Sequence, residues 1–418
     1  MRKGNKRQMA QGGAVAKATD RFERKREAIL DAATRILNRK GIKGLTLGAT
    51  ASAVELSTTS VTYYFRRKDD LAAACISRGI ETLLGIAEAA VTAPTPGERL
   101  HGFFTRYLDV LKATAAGEAS PLPIISELRA LSSPRREEVA QAYGRLFRKA
   151  RQIFDHPDLC WMSRGRRTAR TRMLLEQVFW GGAWLSRFDA EDYPRIRDRI
   201  VDIFLNGLAP EGAAWAPAAI ALEARAARIS PEPGRETFLL AATRLINLRG
   251  YRGASVDKIS AELNVTKGSF YHHNDAKDDL VVACFERTFE VMRSAQRLAM
   301  EQPGTQWEKL SACAAALAEF QLSDHGPLLR THALTALPEQ MRGAMVEQSE
   351  RVSDRFASMI SDGIAEGSIR PVDPFIAAQM LNATLNACAE LGYLVPDVRP
   401  KAAAAVFVRP LMMGIFKQ

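Results

Sequence analysis

Two short stretches hold the densest groups of side chains able to read a nucleic acid. They are Thr58-Thr59-Ser60-Val61-Thr62-Tyr63-Tyr64-Phe65 and Lys267-Gly268-Ser269-Phe270-Tyr271-His272-His273-Asn274. Hydroxyl, ammonium and imidazole groups hydrogen-bond to base edges and phosphates, and aromatic rings stack or pack on the backbone. Ser57 and Thr266 stand just before them as N-caps, so each stretch is predicted to be a short helix whose free amides face outward at its start. A helix of that kind suits the DNA major groove, with its first residues on the base edges. The pair His272-His273 also raises a metal site, but adjacent helical residues point about 100° apart and do not easily chelate one ion.

The elements that must position these helices occur twice. Residues 26–75 slide by 209 positions, without a gap, onto residues 235–284, and 17 of the 50 positions are identical. Arg26-Glu27, Leu30, Ala32-Ala33-Thr34-Arg35 and Asn38 recur in a helical pattern that ends at Gly41 in one copy and Gly250 in the other. Thr46 and Ser255 are placed to cap a short helix of about two turns, followed by a tight turn into the stretches above. Lys68-Asp69-Asp70-Leu71 and Lys277-Asp278-Asp279-Leu280 then open a longer helix with acids in its first turn. One longer helix and two short ones at this spacing make a helix-turn-helix, here present twice.

Thr266-Lys267-Gly268-Ser269-Phe270-Tyr271-His272-His273 followed by Lys277-Asp278-Asp279-Leu280 resembles the DNA-binding signature of the tetracycline-repressor (TetR) family of bacterial transcription regulators. Leu56-Ser57-Thr58-Thr59-Ser60-Val61 with Tyr63-Tyr64-Phe65 and Lys68-Asp69-Asp70-Leu71 resembles the same signature. The resemblance implies a phosphate contact for Lys68 and Lys277 and a backbone or base contact for Tyr271. Thr62 occupies the Tyr271 position in the first copy, a departure from the pattern. The turn holds Glu55 and Asn264 where the family has Gly. The core position of the first short helix is Thr50 in one copy and Ile259 in the other, and the aromatic plug is Phe65 in one and Asn274 in the other.

Charge agrees with a nucleic-acid partner. The chain carries a net +11, and residues 1–26 hold nine Lys or Arg against Asp20 and Glu23. This leader reads as a disordered basic arm over residues 1–21, able to follow phosphates or enter the minor groove. Five scattered cysteines, without CxxC spacing, point to a reducing compartment and against a disulfide frame or structural zinc. The sequence has no run apolar enough to span a membrane and no secretory signal, which gives a cytoplasmic, nucleoid-associated expectation. Nucleophile-elbow, phosphate-loop and HExxH motifs are missing, so neither an enzyme nor a cofactor is expected.

Beyond each helix-turn-helix the periodicity stays helical, and no stretch alternates as a strand would. The fold class expected is all-α: two three-helix DNA-binding units, each followed by a helical regulatory core, as a pseudo-dimer within one chain. The divisions are a helix-turn-helix unit at 22–78, a core at 79–210, a linker at 211–233, a second unit at 234–287 and a second core at 288–418. By the resemblance, the last two helices of each core form a four-helix interface, where Gly181-Gly182-Ala183 would admit a close neighbour. Phe103, Phe104, Tyr107 and Tyr143 are candidates to line a pocket for a small apolar effector. The functional expectation is a sequence-specific repressor on an asymmetric DNA operator, working as a monomeric pseudo-dimer or a homodimer. The competing class is a ligand-binding or scaffold protein in which one or both units no longer bind DNA.

Overall fold

Caps and two glycine breaks set the limits of the helices that carry each DNA-binding unit. The computed structural model describes residues 4–226, 233–262, 277–337, 339–389 and 402–418. Helix α1 (Gly4–Gly44) buries Ile29, Ala33, Ile36 and Leu37, the stripe expected from their spacing. Gly41 breaks it at φ 59°, a left-handed value that a Cβ would penalise. Residues 4–20, expected as a disordered arm, instead continue α1 toward the N-terminus.

Helices α2 (Leu47–Ala53), α3 (Thr58–Tyr64) and α4 (Lys68–Ala90) complete the first unit. Helices α5 (Pro96–Ala115), α6 (Arg135–Arg151), α7 (Arg164–Trp184) and α8 (Tyr193–Asn206) form its core. The linker carries one short helix, α9 (Leu222–Ala226), and is docked rather than loose: Leu222 is buried and Trp215 meets the Trp307 ring edge-on at 6.4 Å.

The second half repeats the order with α10 (Pro233–Gly253), broken at Gly250 with φ 68°, then α11 (Val256–Glu262) and α12 (Lys277–Met300). Its core holds α13 (Gln306–Phe320), α14 (Glu339–Ala365), α15 (Pro374–Cys388) and α16, a wide π turn at Ala404–Val408 running into Arg409–Met413. Matching capping boxes start α5 and α13, Thr95 with Glu98 and Thr305 with Glu308. Among the described residues there is no strand, and no helix is long and apolar enough to cross a membrane.

The halves meet where the last two helices of each core come together. Helix α15 packs on α7 and α8, and α16 packs on the same pair. Gln177 Nε2 donates to the Met380 carbonyl at 3.0 Å, Trp180 Nε1 donates to Gln379 Oε1 at 2.9 Å, and Ile415 N donates to the Phe204 carbonyl at 2.7 Å. Arg370 from the second half reaches the Gly207 carbonyl at 2.6 Å and Asp202 at 2.8 Å. These bonds replace the water that the polar groups lose, so the mixed seam can close at little cost. Gly181 admits a close neighbour, as its place in the sequence had implied, but that neighbour is α5 of its own half rather than a helix across the seam. A Cβ there would stand 2.8 Å from the Tyr107 hydroxyl, which donates to the Val178 carbonyl at 2.9 Å within the first core.

A buried charge cluster crosses the same seam. Glu176 on α7, fully buried, pairs with Arg172 one turn away and with Arg330 of the second half at 3.4 Å. Each half also reaches toward the other's DNA-binding unit: the 3-10 turn Ile125–Ala130 packs on α10, and its counterpart Thr331–Ala336 packs on α1.

Candidate nucleic-acid interface

Helix α3 is held from beneath by apolar side chains and offers its polar ones outward. Val61 is fully buried and Phe65, which ends the helix, is nearly so. Thr58, Thr59, Thr62 and Tyr63 lie on the exposed side. Tyr63, at 76% exposure, is the most exposed large hydrophobic residue among those described, and a ring left in water beside hydroxyls is suited to a partner.

The remaining expected contacts have structural work of their own. Ser57 is the N-cap, its hydroxyl accepting from Ser60 N at 3.1 Å and lying 2.8 Å from the Ser60 hydroxyl. Tyr64 is only partly exposed, its ring 4.7 Å from that of Phe22 on α1. Thr46 caps α2 by accepting from Ala49 N at 3.0 Å, and Ser255 caps α11 by accepting from Lys258 N at 3.3 Å. Caps of this kind contribute about 1 kcal/mol each. Thr50, at the core position where the second copy has Ile259, is buried and donates to the Thr46 carbonyl at 2.9 Å, which satisfies its hydroxyl.

The turn between α2 and α3 places Glu55 at φ 54°, the one non-glycine residue with positive φ among those described. Lys68 is the first residue of α4, beside Asp70, which accepts from Arg67 N at 3.1 Å and pairs with Arg135 of α6 at 2.9 Å. The start of α4, and with it Lys68, is therefore tied to the core. In the second unit Lys277 opens α12 in the same way. Thr266, Lys267, Gly268, Ser269, Tyr271, His272 and His273 lie outside the described residues.

The scaffolds of the two units agree in detail. Arg78 pairs with Glu27 at 2.8 Å and Arg287 pairs with Glu236 at 2.6 Å, joining the first helix to the fourth in each. Cys75 and Cys284 face the Leu30 and Leu239 carbonyls, and burial pushes their thiols up to about 11 and about 12, which keeps them protonated and inert. Asn38 donates to the Leu122 carbonyl at 2.8 Å and accepts from Ile124 N at 2.9 Å. Asn247 makes the same clamp on the Leu328 carbonyl and Arg330 N at 2.8 and 3.1 Å. This residue was missed as a functional position, although its identity in both copies was the signal.

A cavity of about 510 Å³ opens beside the first clamp, between the halves. Of the four aromatic residues expected to line such a space, Tyr107 does. Phe103 and Phe104 are buried in the core instead, Phe104 stacked on Phe204 at 5.6 Å, and Tyr143 packs beside Phe147 and Phe179. The wide face of α5 turns mostly toward α4 and α8, which leaves its Tyr107 and Leu111 edge for the cavity.

An exposed-face helix in the first unit, on a scaffold that the second unit repeats, defines a helix-turn-helix DNA-binding regulator. Residues 29–75 and 238–284 both match the bacterial regulatory proteins, tetR family, and residues 303–390 match the tetracyclin repressor-like C-terminal domain. The chain belongs to the tetR family, as a tandem member with two of its DNA-binding domains. It is similar to the uncharacterized HTH-type transcriptional regulator YhgD of Bacillus subtilis (strain 168), 28% identical over 153 residues, which are 34% of this chain and 76% of that protein. It is also similar to the transposon Tn10 TetC protein of Escherichia coli, 46% identical over 39 residues, 9% of this chain and 20% of that one. Among solved structures it resembles AibR in complex with isovaleryl coenzyme A and operator DNA, at 22% identity and a TM-score of 0.35 over 43% of this chain and 98% of that one.

Proposed function

We propose that the chain is a repressor that carries both halves of an operator-binding dimer in one polypeptide and reads a single asymmetric DNA site. The observation that supports this reading is the exposed face of α3, with Thr58, Thr59, Thr62 and Tyr63 free of the core while Val61 and Phe65 anchor the helix. The second recognition stretch differs at nearly every position, with Lys267-Gly268 opposite Thr58-Thr59 and Tyr271-His272-His273 opposite Thr62-Tyr63-Tyr64. A homodimer presents one helix twice and so favours a palindrome, whereas fusion removes the need for matching half-sites. The seam between the cores lets one chain work as a pseudo-dimer, with a small apolar effector releasing it from DNA.

Selection of bound sequences from a random duplex library, at stated salt, tests this. The expected product is one site with unlike halves about a helical turn or more apart. Recovery of a perfect palindrome would mean that two chains supply two copies of one unit, and recovery of no site at all would favour the scaffold reading.

A further inference from the structure

Among the described residues, the space in the second half that matches the cavity beside Asn38 is nearly closed, and the reason is chemical. Three correspondences locate the counterpart: the repeat carries Leu83 onto Met292, the capping boxes carry Leu111 onto Gln321, and the two Asn clamps carry Leu122 onto Leu328. Leu83, Leu111 and Leu122 line the 510 Å³ cavity, whereas Met292, Gln321 and Leu328 surround a space of about 20 Å³. Gln321 fills that space by donating to the Leu385 carbonyl at 3.0 Å and accepting from Leu328 N at 2.9 Å. Arg330, which stands where the first half has Ile124, turns its charge onto buried Glu176. The second half has a cavity of its own beside Asn247, about 980 Å³, but Arg129, Arg244, Arg249, Arg330 and Glu262 line it, so it is strongly charged where the first is apolar.

The open cavity has an apolar body with one uncompensated cation on its wall. Leu83, Leu111, Ile125, Phe179, Trp180 and Trp184 supply the apolar surface. Its charged residues are Arg187, Arg342 and Glu350, and Arg187 meets Glu350 at 3.5 Å with both side chains about half exposed. Arg342 is left with two backbone carbonyls, Arg39 and Leu337, both at 2.8 Å, while its Nε is buried without a partner. A buried donor left without an acceptor costs about 1–3 kcal/mol, which an anionic oxygen would recover. The Arg39 carbonyl belongs to α1, two residues before the Gly41 break, and Asn38 on the same turn lines the cavity. An anion that draws Arg342 toward itself takes a donor away from the first DNA-binding unit.

From this geometry we infer that each chain binds one molecule of an amphipathic monoanion, an apolar chain or ring bearing a carboxylate, between its halves, with Arg342 as the anion-binding residue and the first DNA-binding unit as the responder. The coupling to DNA rests on the operator-binding reading above; the site and its ligand class do not.

Calorimetry on the full chain with decanoate, and with decanol as its neutral match, tests the site. The expected result is one decanoate per chain, bound at least about tenfold more tightly than decanol, since a hydrogen bond to a charged group is worth about 1.5–3 kcal/mol. Arg342→Gln should bring decanoate down to the decanol level and leave decanol unchanged. Gly182 lines the cavity, and a Cβ there meets nothing within 4 Å, so Gly182→Leu should keep the fold and abolish binding of both. Two decanoates per chain, no decanoate binding, an undiminished anion preference in Arg342→Gln, or normal binding in a folded Gly182→Leu chain would each overturn the inference. Footprinting on the selected operator reads the coupling: decanoate should release the half-site that Thr59 reads before the other, and simultaneous release would overturn that part. A chain that binds decanoate as expected but no DNA sinks the operator reading alone.

Discussion

The first half of the chain keeps an apolar cavity next to its DNA-binding unit, while in the second half Gln321 fills the matching space and the cavity beside Asn247 is lined by charged side chains. Both halves descend from one plan, as the paired Asn clamps, Arg–Glu ties and capping boxes show. The difference teaches what duplication permits. In a homodimer every change appears twice, so a side chain that seals one pocket seals both. In a fused chain one half can become the fixed partner against which the other responds.

The sharpest way to break that comparison is to remove Glu176. Its side chain is fully buried, with Arg172 and Arg330 at 3% and 5% exposure, so Glu176→Ala leaves two interior cations without their carboxylate. The expected loss is about 3–5 kcal/mol in urea unfolding, because uncompensated buried charge is what makes such a deletion costly. Glu350→Ala, which removes an exposed ion pair at the cavity mouth, should cost under about 1 kcal/mol. Equal losses in the two variants would mean that the cluster does not hold the seam between the halves.

The recognition helices come next. Thr59→Val should weaken one half-site by roughly 1–3 kcal/mol and leave the other unchanged, and Lys267→Ala should do the converse. Binding measured on operators with each half scrambled in turn separates them. If Thr59→Val weakened both halves alike, the two units would not be reading different sequences.

A smaller and less selective effect is expected of Lys68→Ala. Phosphate contacts position the protein without specifying sequence, so affinity should fall on every duplex and the salt slope should flatten by about one, with the preferred site unchanged. A changed preference at constant affinity would assign Lys68 to a base instead.

What could be read from the chain beforehand was what depends on neighbours in sequence. Thr46 and Ser255 cap where they were expected to, Gly41 and Gly250 break their helices, and Thr50 stands at a buried core position. Those features follow from backbone chemistry within a few residues. The cavity was not legible, because its walls come from residues more than two hundred positions apart. Helical spacing told that Phe103 and Phe104 face inward but not that α4 and α8 would cover them. The docking of Arg330 on Glu176 and the fit of Gly181 beneath Tyr107 are tertiary coincidences of the same kind. The N-terminal extension of α1 is a different case: charge density marked residues 1–21 as an arm, but Ala, Gln and Lys in that stretch also favour a helix extended from a stable end.

The smallest expected effect bears on the turn of the first unit. Glu55 sits at φ 54°, where a Cβ crowds the following carbonyl at about 1–2 kcal/mol per residue. Glycine avoids that crowding but gives the unfolded chain about 0.5–1 kcal/mol more entropy to lose. The crowding is the larger of the two, so Glu55→Gly should stabilise by about 0.5–1 kcal/mol. Glu55→Ala is the control: it removes the exposed carboxylate and keeps the Cβ, so it should bring no comparable gain. The second unit carries Asn264 at the matching position, and asparagine tolerates this conformation, so Asn264→Gly should gain less than Glu55→Gly. Urea unfolding of the three variants ranks them. If Ala gained as much as Gly at position 55, the charge rather than the backbone would be the source of strain, and the two turns would differ by side-chain electrostatics alone.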